Sequence, residues 1–244
     1  MKTLNDMVQQ YSRGRYSFSD FLGLAEQSDF HEQLREFDAL PWELFGGTDN
    51  CERVMLRIGS EETLGYTEEW PIRTLEISPK NQKFADQLTH RDFLGAILHL
   101  GLERDTIGDI FIEDNVGYVF CTEQVAPYLT QNLDRVKHTS VVCREIEELP
   151  ELERMKPEEK FIQTSSLRID LIVARVYNLS RSSAQELFPA RKVYVDGRLC
   201  ENNSRELAPG EIVSVRGFGR LRLKEEHGLS RKGKHNLVME VTPR

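Results

Sequence analysis

Apolar positions along this chain switch between a helical and a strand period in an order that predicts the architecture of its middle. "PIRTLEISP" reads as a strand, and "THRDFLGAILHLGL" reads as a helix with Thr89 as N-cap and Asp92 three residues on. "DIFIED" and "VGYVFCT" are strands joined at Asp114-Asn115, "EQVAPYLTQNLDRV" is a second helix and "HTSVVCREI" a last strand. This β-α-β-β-α-β order is that of the ferredoxin-like and RNA-recognition-motif class.

Upstream, residues 1–48 read as helical. "SFSDFLGLAEQ" spaces Phe18, Phe21, Leu22 and Ala25 along one face, Asp29 with Glu32 resembles the capping box of a following helix, and Gly46-Gly47 breaks the pattern. In "CERVMLRIGS" the alternation of Val54, Leu56 and Ile58 against Arg53 and Arg57 predicts a strand. Downstream, the acidic "EIEELPELERMKPEEK" interrupts all periodicity and reads as a boundary. Beyond it, "SLRIDLIVARVYN" supports one short buried helix through Leu167, Ile169, Leu171, Ile172 and Val176. Ser180 is placed to cap a second helix running from Arg181 to Phe188, its hydroxyl accepting from the amide of Ser182 or Ser183. "KVYVDG" is then a strand ending in a turn, "EIVSVRGFGRLRL" a glycine-interrupted strand pair, and "LSRKGKHN" a basic hairpin tip, either a solvated turn or an RNA finger. The expected organisation is α+β: a helical region 1–48, a βαββαβ domain 49–146, an acidic linker 147–160 and a basic domain 161–244.

Charge sharpens this picture. The formal net charge of −8 hides an asymmetry: residues 1–160 hold 17 Lys and Arg against 31 Asp and Glu, a balance of −14, while residues 161–244 hold 15 against 9, a balance of +6. A basic part of this kind points to a nucleic acid or a membrane surface. No amphipathic helix with an aromatic face accompanies it, which favours nucleic acid. No apolar stretch approaches a membrane span and the first residues lack the apolar core of a signal peptide, so a cytoplasmic location is expected. Cys51, Cys121, Cys143 and Cys200 are far apart with no C-x-x-C pair, and are expected as buried reduced thiols.

The basic part also carries a motif. Arg168-Ile169-Asp170, Ser180-Arg181-x-x-Ala184, Val193-x-Val195-Asp196-Gly197 and Gly210-Glu211-x-Val213-x-Val215-Arg216-Gly217-x-Gly219-Arg220 together resemble the S-four RNA-binding domain over about 55 residues. One position departs from that family, which commonly has a glycine where this chain has Arg191, at the exit of the second helix; a residue with a Cβ there must avoid positive φ or accept strain. With "LTHRDFLGAILHLGLERDTIGD" and the domain order, the resemblance extends to the YlmH family over nearly the whole chain. That family has an N-terminal helical part, an RNA-recognition-like middle and a C-terminal S-four domain. What the resemblance implies is a factor that holds structured RNA, rRNA or tRNA, on the large ribosomal subunit in translation rescue or quality control, and a neighbourhood of cell-division genes.

Physically, Ser180 and Arg181 at a helix start suit a phosphate, with Arg191 and Lys192 at the far end of that helix and Arg168 on the one before; Arg198, Arg216 and Arg220 complete the expected RNA-binding set. Asp170 is expected to orient Arg168 rather than meet RNA. Tyr118 and Phe120 alternate as base-stacking aromatics do, but "VGYVF" lacks the leading basic residue of that motif, which favours core packing. Thr89, His90 and Arg91 could receive an anion or be ordinary first-turn residues, and His90 with Asp92 lacks the further ligands a metal needs. No phosphate loop, nucleophile elbow or zinc-deaminase signature is present. The "GRL" of Gly197-Arg198-Leu199 is followed by Cys200 where a pseudouridine synthase needs aspartate. The expectation is a non-enzymatic protein with no cofactor, no metal, no membrane contact and no small-molecule substrate; an RNA-modifying enzyme and a cell-division adaptor are the competing classes.

Overall fold

In the computed structural model, which describes residues 3–37, 39–152 and 156–243, the chain divides into two units: Met1–Glu26 with Glu32–Glu153, and Gln27–His31 with Arg154–Arg244. The first unit starts with helix α1 (Leu4–Ser12) under a capping box in which the Asp6 amide donates to Thr3 Oγ1 at 3.2 Å. Strands β1 (Ser17–Phe18), β2 (Trp42–Phe45) and β3 (Met55–Ile58) follow, forming an antiparallel sheet ordered β1-β3-β2, while helix α2 (Leu24–Gln33), between β1 and β2 in the chain, gives its Gln27–His31 to the second unit.

Two expectations for residues 1–48 are corrected here. Ser17-Phe18 and Trp42–Phe45 are strands rather than helix, because Phe18 and Glu43 both pair with Arg57 and close a sheet across some forty residues of chain. Asp29 and Glu32 lie inside one continuous α2 that begins at Leu24, so they are not a capping box. A helical period read in a short window carries no information about a partner strand that far away.

After the single turn α3 (Glu61–Leu64) come β4 (Ile72–Pro79), α4 (His90–His99), β5 (Ile107–Glu113), β6 (Val116–Thr122), α5 (Ala126–Asn132), β7 (Arg135–Val136) and β8 (Thr139–Ile146). They form a five-stranded antiparallel sheet ordered β5-β6-β4-β8-β7, so β4 sits between β6 and β8 as the β-α-β-β-α-β reading requires. Asp114 and Asn115 take φ of +48° and +67°, the left-handed pair of a two-residue hairpin whose twist suits its strands. Phe93 and Ile97 of α4 and Leu129 of α5 are completely buried with Leu75, Ile77 and Val119 of the sheet, each such side chain contributing roughly 1.5–3 kcal/mol. Gly117 allows this approach, since a Cβ there would lie 2.7 Å from the Phe93 ring.

On the other face, Phe120 packs with Phe21, Cys51 and Met55. Beside this cluster lies a charge group the sequence did not announce. Asp109 accepts the amides of Glu52 and Arg53, and Arg53 donates to Phe21 O at 2.8 Å and Ile107 O at 3.1 Å. Arg104 donates to Ile107 O and Gly108 O, and burial beside Arg53 brings its pKa down to about 10.

The second unit opens with β9 (Glu158–Thr164), then α6 (Ile169–Val176), α7 (Arg181–Glu186), β10 (Val193–Val195), β11 (Arg198–Leu199), β12 (Ile212–Val215), β13 (Gly219–Leu229) and β14 (His235–Pro243). The strands form an antiparallel sheet ordered β11-β10-β12-β13-β14-β9. The expected linker 147–160 is shortened: Glu158, Glu159 and Lys160 belong to β9, where Val241, Glu240 and Met239 pair with them, and residues 153–155 lie outside the described residues. Backbone pairing with β14 turns an acidic segment into an edge strand. Ile169, Ile172 and Val173 of α6 and Phe188 beyond α7 fill the core against Val193, Val213, Leu223 and Met239. The α-helix ends at Glu186, short of the expected Phe188. All four cysteines are buried and reduced, and burial pushes Cys143 up to about 12. No helix among the described residues is long and apolar enough to cross a membrane.

Because Arg53 and Arg104 sit partly buried beside one carboxylate, Asp109→Ala is expected to destabilise the protein by about 3 kcal/mol. Urea unfolding followed by tryptophan fluorescence tests this, and a midpoint equal to wild type would remove the carboxylate from that role.

Candidate nucleic-acid interface

Helix α6 begins with a charge the core has enclosed. Asp170 is completely buried, and Arg168, the N-cap residue of α6, grips it with both arms: Nε to Oδ1 at 3.0 Å and Nη2 to Oδ2 at 2.8 Å. Gln185 of α7 donates to the same carboxylate at 3.0 Å. Burial opposes the charge, but the bonds from Arg168 and Gln185 outweigh it and hold the Asp170 pKa below the usual carboxylate value. Arg168 therefore works first as a structural clamp, as the spacing to Asp170 suggested.

At the start of α7 the Ser180 hydroxyl accepts the Ser183 amide at 3.0 Å and bonds the Ser183 hydroxyl at 2.8 Å. Its oxygen is thereby committed to the cap, and its part is to fix the first turn from which Arg181 projects into solvent. Past α7 the chain closes with the Lys192 amide on Leu187 O at 3.0 Å and the Arg191 amide on Phe188 O at 2.9 Å, the paired bonds of a Schellman turn. Arg191 occupies the left-handed position with φ +54°, so the departure from glycine is resolved by accepting strain.

That turn gathers the basic side chains. The Arg216 amide donates to Lys192 O at 2.8 Å, and Val193 pairs with Val215, so Lys192 and Arg216 leave the sheet side by side. The Arg216 guanidinium lies 5.2 Å from the centre of the Tyr194 ring. Arg191, Lys192 and Arg216 thus form one exposed group. Arg198 is exposed opposite Val195, three residues and about 10 Å of strand away from Lys192. Arg220 lies on β13 opposite Ser214 and Thr242 and is partly covered. Of the eight residues selected from the sequence, the structure brings three together, caps a helix with Ser180, clamps Arg168 to Asp170, and spreads the rest over the unit.

Ion pairing decides how much of the +6 balance faces outward. Arg205 is held by Glu211, Arg222 by Glu240 and Lys224 by Glu159, and Arg191 has only a long 3.8 Å contact with Glu201. Arg175, Arg181, Lys192, Arg198 and Arg216 are exposed and make no ion pair among the described residues. Arg175 was missed from sequence because it stands outside the motif positions.

The alternatives in the middle unit are weaker. Phe120 is buried and packs edge-on against Phe111, so it offers no stacking face. Tyr118 is half-buried on the face away from the helices, where burial, Glu76 and Glu113 raise its phenol pKa against the opposing Arg144, itself held by Glu76, so among the described residues no free cation stands beside the ring. At α4 the Asp92 carboxylate accepts the Thr89 amide at 2.8 Å and hydroxyl at 2.7 Å, so the helix start already holds its own anion.

Comparison with known proteins adds three findings. Residues 66–149 match the family described as "putative RNA-binding domain in YlmH". The chain is 27% identical over 231 residues to ribosome-associated protein quality control protein P2 of Bacillus subtilis (strain 168), across 93% of this chain and 87% of that one. It also aligns at 18% identity and a TM-score of 0.43 with the structure of cell division protein ylmH from Streptococcus pneumoniae, covering 60% of this chain and 93% of the other.

Two outcomes are expected from this geometry. Arg191→Gly should raise stability by about 0.5–1 kcal/mol, the relief of left-handed strain exceeding the entropy glycine adds to the unfolded chain. No gain in unfolding midpoint would deny the strain. For Asp170 the native pKa is lowered, so its contribution is present above the ordinary value near pH 3.9 and lost as pH falls through the native one. Asp170→Asn should cost about 2 kcal/mol at neutral pH and flatten the loss of stability below about pH 4. An unchanged acid limb would assign that loss to other carboxylates.

Proposed function

Residues 66–149 match the YlmH RNA-binding family, and from that premise we propose that the chain is a ribosome-associated protein whose basic C-terminal unit, read as an S-four-type domain, holds structured rRNA or tRNA. The observation that carries the reading is the partition of charge. In a unit where Arg205, Arg222 and Lys224 are neutralised by neighbouring acids, Arg181, Lys192, Arg198 and Arg216 remain exposed without ion pairs among the described residues. Planar guanidinium groups on a rigid sheet and helix suit the phosphate oxygens of a folded RNA, which is recognised by shape and backbone. The name of the Bacillus subtilis relative, ribosome-associated protein quality control protein P2, supports the process, and our reading adds the large subunit as the site of contact. The action is one of binding and positioning, with no catalytic step.

The acidic first unit fits this division of labour. Phosphate repels it except at local patches, so the RNA is oriented onto the basic unit while the rest of the chain faces protein or solvent.

Sedimentation of the tagged protein through a sucrose gradient of bacterial lysate tests the reading. Wild type is expected with the large subunit, and an Arg181→Ala/Lys192→Ala/Arg216→Ala variant at the top of the gradient. Wild type remaining with free protein would overturn the ribosome reading. With purified RNA, the same variant should flatten the dependence of log K on log salt by about 2 units, from roughly 0.7 per lost phosphate contact. An unchanged slope would remove these three residues from the interface.

A further inference from the structure

Away from the Arg191 turn, the second unit contains a groove of about 470 Å³, between the C-terminal half of α6, the end of β9 and the tip of the β13–β14 hairpin. It falls within the roughly 300–1,000 Å³ of small-ligand sites. Its walls are of two kinds. Leu171, Ala174 and Leu179 give an aliphatic surface, each only half-buried, while Arg175 and Lys234 supply two cations at its rim.

Three observations bear on what fills it. Arg175 and Lys234 come from segments 59 residues apart, and both are exposed with no ion pair among the described residues. On the same sheet Lys224 and Arg222 have acid partners, whereas this pair, like Arg181, Lys192, Arg198 and Arg216, has none among the described residues. Third, Thr164, another lining residue, is 5% exposed, and its Oγ1 has no hydrogen-bond partner among the described residues. A buried hydroxyl without a partner in the chain has its bonding capacity open to a water or a ligand.

We propose that this groove receives a single unpaired nucleotide of the bound RNA, its phosphate between Arg175 and Lys234 and its base against Leu171, Ala174 and Leu179. The inference rests on the RNA-binding reading and extends it to a second contact. A free phosphate would satisfy the two cations but leave the aliphatic wall wet. A continuous A-form duplex presents phosphates but keeps its bases stacked inside, where no side-chain wall reaches them. An extruded nucleotide supplies both an anion and an apolar face, and the Thr164 hydroxyl can bond its sugar or base edge. The basic tip "RKGK" at 231–234, left open between a solvated turn and an RNA finger, gains a function as one side of this groove through Lys234.

The test uses the full chain and two labelled RNAs, a blunt duplex and the same duplex with one bulged uridine. Wild type is expected to bind the bulged RNA about tenfold more tightly, as expected for hydrogen bonds to a charged group. Arg175→Ala/Lys234→Ala should abolish that preference and leave blunt-duplex affinity within about twofold, while Thr164→Val should remove part of it. Arg181→Ala should weaken both RNAs alike and keep the preference. A wild type without preference, or a double variant that retains it, overturns the groove while the basic face stands. Failure of wild type to bind either RNA overturns both readings. Should inorganic phosphate erase the preference as effectively as uridine monophosphate, the groove is a simple anion site and the nucleotide is overturned. Arg175 also lies in the last turn of α6, where a cation helps the helix end; a purely structural role would lower the unfolding midpoint without changing the ratio of the two affinities.

Discussion

The basic unit depends on one buried charge. Asp170 has no exposed surface, and a carboxylate removed from water in this way is tolerable only if donors replace the water it gave up. Arg168 and Gln185 do so from opposite sides, one at the start of α6 and the other on α7, which makes the carboxylate the joint between the two helices. The backbone completes the joint, with the amides of Ile169 and Asp170 donating to Arg205 O and Asn203 O. Once α6 and α7 are locked, the Ser180 cap and the Schellman turn at Arg191 have fixed positions, and so do the cations that leave from them.

The proposed function follows from what this arrangement leaves unpaired. A net charge is a sum, but an RNA meets only those charges that no neighbouring acid has claimed. In the second unit the strands β13, β14 and β9 carry their own acids and neutralise Arg222 and Lys224 across the sheet. At the start of α7 and where β10 and β12 meet the Arg191 turn no such ion pair forms among the described residues, and there Arg181, Lys192 and Arg216 stay available. Strain is accepted in the same region: Arg191 holds a left-handed conformation that glycine would adopt freely. A basic side chain at the price of a weaker turn is consistent with a surface selected for contact.

The first unit makes the contrast clear. Its sheet has the strand order of a nucleic-acid-binding class, yet of the half-buried aromatics on the helix-free face Phe111 packs against Phe120, and Tyr118 lies among Glu113, Glu76 and the Arg144 that Glu76 already holds. Architecture and surface chemistry therefore point to different uses, and the chemistry of the site decides which is argued.

Much of this was legible along the chain. The β-α-β-β-α-β order, the Asp114-Asn115 turn, the Ser180 cap and the partnership of Arg168 with Asp170 all rest on interactions between residues close in sequence, where period and turn chemistry act directly. What the sequence could not show depends on distant pairing. Residues 42–45 became a strand because Met55–Ile58 lay beside them, and Glu158–Lys160 left the expected linker because β14 offered an open edge. Which arginines are free was decided in the same way: Arg222 and Arg216 look alike in "SVRGFGRLR", and only the folding of Glu240 alongside Arg222 separates a neutralised side chain from an available one. Local periodicity determines which segments are helix or strand, but an ion pair across a sheet exists only when the sheet does, so which cations are left unpaired was decided by tertiary structure.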